Sequence, residues 1–224
     1  MNKIAVITGA SKGIGLTLAI KMLNTGYAVI GTSRDGKIDA IDHDNFYPMA
    51  LDVKKGISID EFTKSVTERF QEINILVNNA GIGPDLGANF PDTNSFEETF
   101  KVNVTGTVFL TERLIPIIKN EGKIIIVSSK MGSIAATEGF DSVAYRMSKS
   151  ALNMYTKVIS NRLKGKIDVA AIDPGWVKTE IRLSNLENAP LTPKESAENI
   201  YKFITSNFKS GSYWDTVNNK LHNW

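Results

Sequence analysis

Six short runs rich in valine, isoleucine and other apolar residues recur along the chain. They are KIAVIT (3–8), YAVIGTS (27–33), FYPMAL (46–51), INILVNN (73–79), KIIIVSS (123–129) and IDVAAID (167–173). Nearly unbroken apolar character over so few residues describes strands covered on both faces, the condition of a parallel sheet. Helix-length amphipathic segments separate them. Residues 12–25 set Ile14, Leu18 and Met22 four apart on one stripe. Residues 58–71, 96–119 and 144–164 read the same way, with Pro116 bending or ending the second of these. TPKESAENIYKFI opens on a capping box from Thr192 to Glu195, with Pro193 at the first helical position. Strand alternating with helix predicts right-handed βαβ units: an α/β protein with a doubly wound parallel sheet and helices on both faces. No repeat or linker divides the 224 residues, so a single domain over 1–224 is expected.

Composition removes several chemistries. There is no cysteine, which excludes thiol catalysis, disulfides and cysteine-held metals. The two histidines, His43 and His222, lie far apart in sequence and read as surface residues, so neither a serine–histidine triad nor a histidine metal site is expected. A net charge of +2 with interspersed signs gives no nucleic-acid footprint. No segment approaches the length of a membrane span, and a cytoplasmic location is expected. Trp176 and Trp214 read as packing residues, and Met147 and Met154 as core or subunit contacts.

TGASKGIG (8–15) joins the first strand to the first helix. Its glycines, 9, 13 and 15, depart from the G-x-G-x-x-G spacing, but the physics is shared. A tight turn lets the backbone approach a phosphate, and the helix N-terminus points free N–H groups at an anion. A dinucleotide is therefore expected here, against the alternative of a plain connector. At the end of strand two, an acid would take a ribose hydroxyl, whereas a base would take the extra phosphate of NADP. The chain has Ser33 and then Arg34, with Lys12 in the turn, which points to NADP(H). Asp35 is a counter-signal, expected to point away.

Tyr145 and Lys149, in YRMSK, are four apart and share a helical face. Alone, such a pair is usually solvated surface. Together with the glycine turn it resembles the short-chain dehydrogenase/reductases. The resemblance runs in order through TGASKGIG, LDV (51–53), NNAG (78–81), KVNVTG (101–106), VSSKMG (127–132), YRMSK and PGWVKT (174–179). The later segments look like the branch of C-factor-like proteins and Sniffer-type carbonyl reductases.

The resemblance implies a Rossmann-type fold and a catalytic set of Asn103, Ser129, Tyr145 and Lys149, with Ser128 the weaker candidate for the serine. It implies cofactor contacts from Gly9, Ser11, Lys12, Gly13, Ile14 and Gly15, then Ser33 and Arg34, then Asp52 and Val53. Asn79, Ala80 and Gly81 would follow along the cofactor. Pro174, Gly175, Trp176, Val177 and Thr179 would border the nicotinamide, beside Tyr145 and Lys149. Lys149 is expected to lower the phenol's pKa, and Asn103 to hold a water leading from Lys149 to solvent.

The activity implied is hydride transfer between NADPH and an aldehyde or ketone, giving an alcohol, in a homodimer or homotetramer. A cofactor-binding regulatory protein of the C-factor-like type is the alternative. The segment containing AATEGFDSVA is longer than the commonest family form, which bears on substrate contacts more than on the catalytic geometry.

Overall fold

In the computed structural model, which describes residues 3–224, every expected strand forms, trimmed or extended at its ends. They are β1 (Ile4–Ile7), β2 (Ala28–Ser33), β3 (Phe46–Ala50), β4 (Ile73–Asn78), β5 (Ile118–Val127) and β6 (Ile167–Asp173). Two more follow, β7 (Ser212–Asp215) and β8 (Lys220–Leu221), completing one sheet of order β3-β2-β1-β4-β5-β6-β7-β8. All neighbours pair in parallel except β8, which runs antiparallel to β7. The last two strands escape the apolar-run pattern because they are four and two residues long and mix polar with apolar side chains.

Alternation along each strand feeds two cores. Ile125 and Val127 face one side, with Leu18 and Met22 of α1 (Gly13–Leu23). Ile124 and Ile126 face the other, with Phe62 and Val66 of α2 (Gly56–Phe70). The capping box of Thr192 and Glu195 forms, so the helix after it starts where the sequence placed it.

The expected helix over 96–119 is instead four pieces. These are α3 (Thr93–Thr99), a π-helical stretch Phe100–Gly106, α4 (Thr107–Leu114) and a short 3₁₀ turn Ile115–Ile117 containing Pro116. A Cβ on Gly106 would stand 2.6 Å from the Val53 carbonyl oxygen, so the widened turn runs against the loop after β3. Asn103 lies within it, and such local widening of a helix often marks a functional position. Next come α5 (Val143–Arg162), the short α6 (Asn185–Asn188) and α7 (Pro193–Thr205). Met147 and Met154 of α5 are exposed, so the core alternative for them is overturned.

Candidate active site

The C-terminal ends of β1, β2, β4, β5 and β6 open onto one cleft of about 1790 Å³. That exceeds the ~300–1,000 Å³ of a typical small-ligand pocket, leaving room for two ligands side by side. At one end is the glycine turn. Gly9 and Gly13 adopt φ of 66° and 58°, the left-handed region that favours glycine. A Cβ on Gly15 would stand 2.3 Å from the Gly9 carbonyl oxygen, so no side chain fits there. The first turn of α1 carries no acid to compete for its N–H groups. These are the physical requirements of a phosphate-holding turn.

Asn79 braces that turn: its Nδ2 donates to the carbonyls of Thr8 and Gly9 at 2.9 and 3.2 Å. The Thr8 hydroxyl oxygen in return accepts from the N–H groups of Asn79 and Ala80, both at 2.9 Å. Thr8 was not among the expected site residues, though it stands inside the motif TGASKGIG.

The rim at β2 differs in two ways from expectation. Lys12 is paired with Glu180 of the segment after Gly175, tying the glycine turn to that segment. Asp35 does not point away: it accepts the Ser33 hydroxyl hydrogen at 2.9 Å. Arg34 remains exposed at the cleft rim. Asp52, Val53, Gly81, Ser11 and Ile14 also line the cleft, as do Pro174, Gly175, Trp176, Val177 and Thr179. Thr179 packs on the turn, 3.4 Å from where a Gly13 Cβ would stand. Trp176 is exposed instead of packed, its indole N–H donating to Asn185 Oδ1 at 3.0 Å.

Tyr145 and Lys149 sit in the first turns of α5 with only 8% and 4% of their surface exposed, which removes the solvated-pair alternative. The Lys149 ammonium lies 5.4 Å from the centroid of the Tyr145 ring and donates to the Val127 carbonyl at 2.9 Å. Ser129 follows β5 beside the Tyr145 phenol, whose ionisation it favours. Ser128, by contrast, is buried and spends its hydroxyl on Asn153 Oδ1 at 2.7 Å. Ser129 is thus the serine that faces the phenol.

The expected lowering of the phenol's pKa is not what the protein's own groups produce. Burial pushes Tyr145 up to about 12; Ser129 pulls the other way, and the carboxylates of Asp173 and Asp85 push further up. Burial also brings Lys149 down to about 8. At that separation a desolvated ammonium offsets less than the desolvation of a phenolate costs. Tyr145 therefore holds its proton at neutral pH, the state a proton donor needs.

Asn103 is also committed differently from expectation. Its Oδ1 accepts from Ile82 N–H at 2.9 Å, and its Nδ2 donates to the Ile82 carbonyl at 2.9 Å and to Ser148 Oγ at 3.1 Å. It fastens the loop after β4 to α5.

Asp85 escaped the sequence reading altogether. One of its oxygens accepts the N–H groups of Ala144 and Tyr145 at 2.8 and 3.2 Å, capping α5 from a distant loop. Asp85→Ala is expected to lose about 1–2 kcal/mol of stability, the usual worth of such a cap, and to slow turnover by loosening Tyr145. Asp85→Asn, which keeps an acceptor oxygen, should retain most of both. Denaturant titration with parallel rate measurement checks this; an unchanged Asp85→Ala protein would contradict it.

His222 is the second omission. It is not a surface residue: only 11% of its side chain is exposed, and its Nε2 lies 3.1 Å from Asp173 Oδ2 and 3.9 Å from Asp215 Oδ2. Nothing near it in sequence signals this, since Asp173 is 49 residues away.

Comparison with known proteins places this architecture. A family model described as short chain dehydrogenase matches residues 3–189. A 3-oxoacyl-[acyl-carrier-protein] reductase FabG of Buchnera aphidicola is 32% identical over 228 residues, covering 93% of this chain and 91% of that protein. The carbonyl reductase Sniffer of D. melanogaster superimposes with a TM-score of 0.88 at 26% identity, over 100% of both chains. An NADPH-bound carbonyl reductase from chicken fatty liver gives 0.88 at 27% identity, over 100% of this chain and 99% of the other. The branch resemblance read from the later motifs agrees with the likeness to Sniffer. Glycine turn, strand-end serine, buried tyrosine–lysine pair and family model coincide on one chain, which belongs to the short-chain dehydrogenase family of oxidoreductases.

Proposed function

We propose that this chain is an NADP(H)-dependent carbonyl reductase with Tyr145 as its proton donor. The observation that carries the reading is the buried Tyr145–Lys149 pair with Ser129 on the phenol, in the same cleft as the glycine turn. Bound NADPH supplies the hydride that reaches the carbonyl carbon. The glycine turn would receive the pyrophosphate, and Arg34 would take the adenosine 2′-phosphate from the rim. That two relatives of full-length similarity are carbonyl reductases, one of them NADPH-bound, supports the cofactor and the substrate class.

The chain's own groups do the rest. The Ser129 hydroxyl donates to the substrate oxygen as negative charge grows there. Tyr145 gives its proton to the same oxygen, and the Lys149 ammonium steadies the phenolate left behind. Asp85 and Asn103 act on Tyr145 by fixing the first turns of α5 and the neighbouring loop.

The reading also includes a homo-oligomer. Phe109 of α4 and Met147, Met154 and Val158 of α5 are large apolar side chains left exposed, the kind of surface a second copy covers. Among the described residues no helix is long and apolar enough to cross a membrane.

Absorbance of NADPH against a panel of aldehydes, ketones and quinones tests the function. Several should be reduced; binding of NADPH with no carbonyl reduced would refute it. Ser33→Asp combined with Arg34→Ile should shift preference towards NADH by about 10- to 100-fold in kcat/KM, the worth of a lost charge-assisted contact. Equal NADPH affinity afterwards would remove Arg34 from the phosphate.

A further inference from the structure

Two carboxylates lie side by side at the floor of the cleft. Asp173 ends β6 and Asp215 ends β7, and the two are register partners. Both are buried. Like charges directly opposite on neighbouring strands repel, more so out of water. Donors soften this without neutralising it: Gly175 N–H reaches Asp173 Oδ1 at 3.1 Å, and Val217 N–H, Asn218 N–H and Asn218 Nδ2 reach Asp215. His222, just after β8, places the one titratable nitrogen that reaches both.

His222 also communicates with the reacting groups. Its ring stands 4.7 Å from that of Tyr213, whose hydroxyl donates to the carbonyl of Ser129, and Ser129 acts on the Tyr145 phenol, favouring its ionisation. The same tail closes over the loop after Ser129: Ser133 Oγ donates to the Asn223 carbonyl at 2.7 Å, and Ala135 N–H to that of Trp224. His222, Asp173 and Asp215 line the same cleft as Tyr145.

We propose that His222 is a positioning residue for the proton step: its protonation state, acting through Asp173 and Tyr213, sets the pH range over which Tyr145 donates. A proton on the imidazole balances the two carboxylates and leaves the phenol easier to ionise. Without it Asp173 faces Tyr145 uncompensated, in line with the upward push of that carboxylate on the phenol. The charged and titratable groups around the ring are Asp173 from β6, Asp215 and Tyr213 from β7 and Lys220 from β8. Tyr145 and Lys149 stand beyond them on α5. The inference rests on the carbonyl-reductase reading, with Tyr145 as donor.

The experiment compares kcat/KM for carbonyl reduction in the unsubstituted enzyme, His222→Gln and Asp173→Asn from about pH 5 to 9. Imidazoles change charge between about pH 5 and 8. His222→Gln should fall about three- to tenfold relative to the unsubstituted enzyme at the acidic end and approach parity at the alkaline end. That change corresponds to about half to one unit on the phenol. Asp173→Asn should raise kcat/KM at the alkaline end, where a neutral imidazole leaves that carboxylate uncompensated. A His222→Gln ratio constant across the range, with activity still dependent on Tyr145, would reduce His222 to a structural anchor and overturn the inference. Activity surviving in Tyr145→Phe would sink the underlying reading instead.

Should His222→Gln fail to fold, proton NMR of the unsubstituted chain serves, because only two histidines contribute. The response of the His222 ring signals to pH should differ between the unsubstituted chain and Asp173→Asn. A ring fixed in one protonation state, or indifferent to Asp173, overturns the inference without any turnover.

Discussion

Tyr145→Phe is expected to reduce kcat for carbonyl reduction by about 10²–10⁴-fold, the range lost when a positioned acid is removed. The substitution deletes one oxygen and keeps the ring that fills the start of α5, so folding and NADPH affinity should change little. The loss therefore falls on the chemical step, and kcat and kcat/KM should drop together. Single-turnover oxidation of bound NADPH measures it. A variant as fast as the unsubstituted enzyme would show that the proton comes from elsewhere.

Lys149→Met should lose activity on a similar scale, about 10²–10⁴-fold, while gaining stability near neutral pH. The sign follows from linkage. Burial lowers Lys149 from its ordinary 10.5 to about 8. Between those values the unfolded chain binds more protons than the folded one, so the stability of the unsubstituted protein rises with pH. Below pH 8 the full penalty applies, and at about 1.4 kcal/mol per unit it amounts to about 3 kcal/mol. Methionine removes the charge and keeps most of the volume, but leaves the Val127 carbonyl without its donor, at about 1 kcal/mol. A net gain of about 1–3 kcal/mol at pH 7 is expected, shrinking towards pH 10. Above pH 10 the raised Tyr145 works the other way: its stabilisation is lost as pH climbs towards about 12, so the comparison belongs below that point. Denaturant unfolding of both proteins at pH 7 and 10 checks it. A variant equally destabilised at both would contradict a buried, strained ammonium.

Tyr145 and Lys149 are neighbours because of helical geometry, and Gly9, Gly13 and Gly15 make a turn because of local backbone freedom. Both facts are written within a few residues, and both were readable. The fold was legible for the same reason, as strand and helix differ in the period of their apolar residues. What escaped depends on chain segments brought together from afar. Asp85 reaches Ala144 across 59 positions, and Lys12 meets Glu180 across 168. The burial that raises the Tyr145 phenol is equally nonlocal, so the spacing of a tyrosine and a lysine carried the placement of the pair but not the direction of its pKa. The helix over 96–119 ends at Pro116, a signal within it, whereas the approach of the Val53 carbonyl to Gly106 comes from a distant loop.

The most direct measurement is a titration of the Tyr145 phenolate by absorbance, taken as the difference between the unsubstituted protein and Tyr145→Phe, with and without NADP⁺. In the free protein Tyr145 should ionise well above an ordinary tyrosine, near pH 12. With NADP⁺ bound, the added positive charge should bring the ionisation down by at least about two units, roughly 3 kcal/mol in favour of the phenolate. An ionisation at the same pH in both states would mean that this phenol is not coupled to the cofactor cleft, and that Tyr145 is not the group that exchanges the reacting proton.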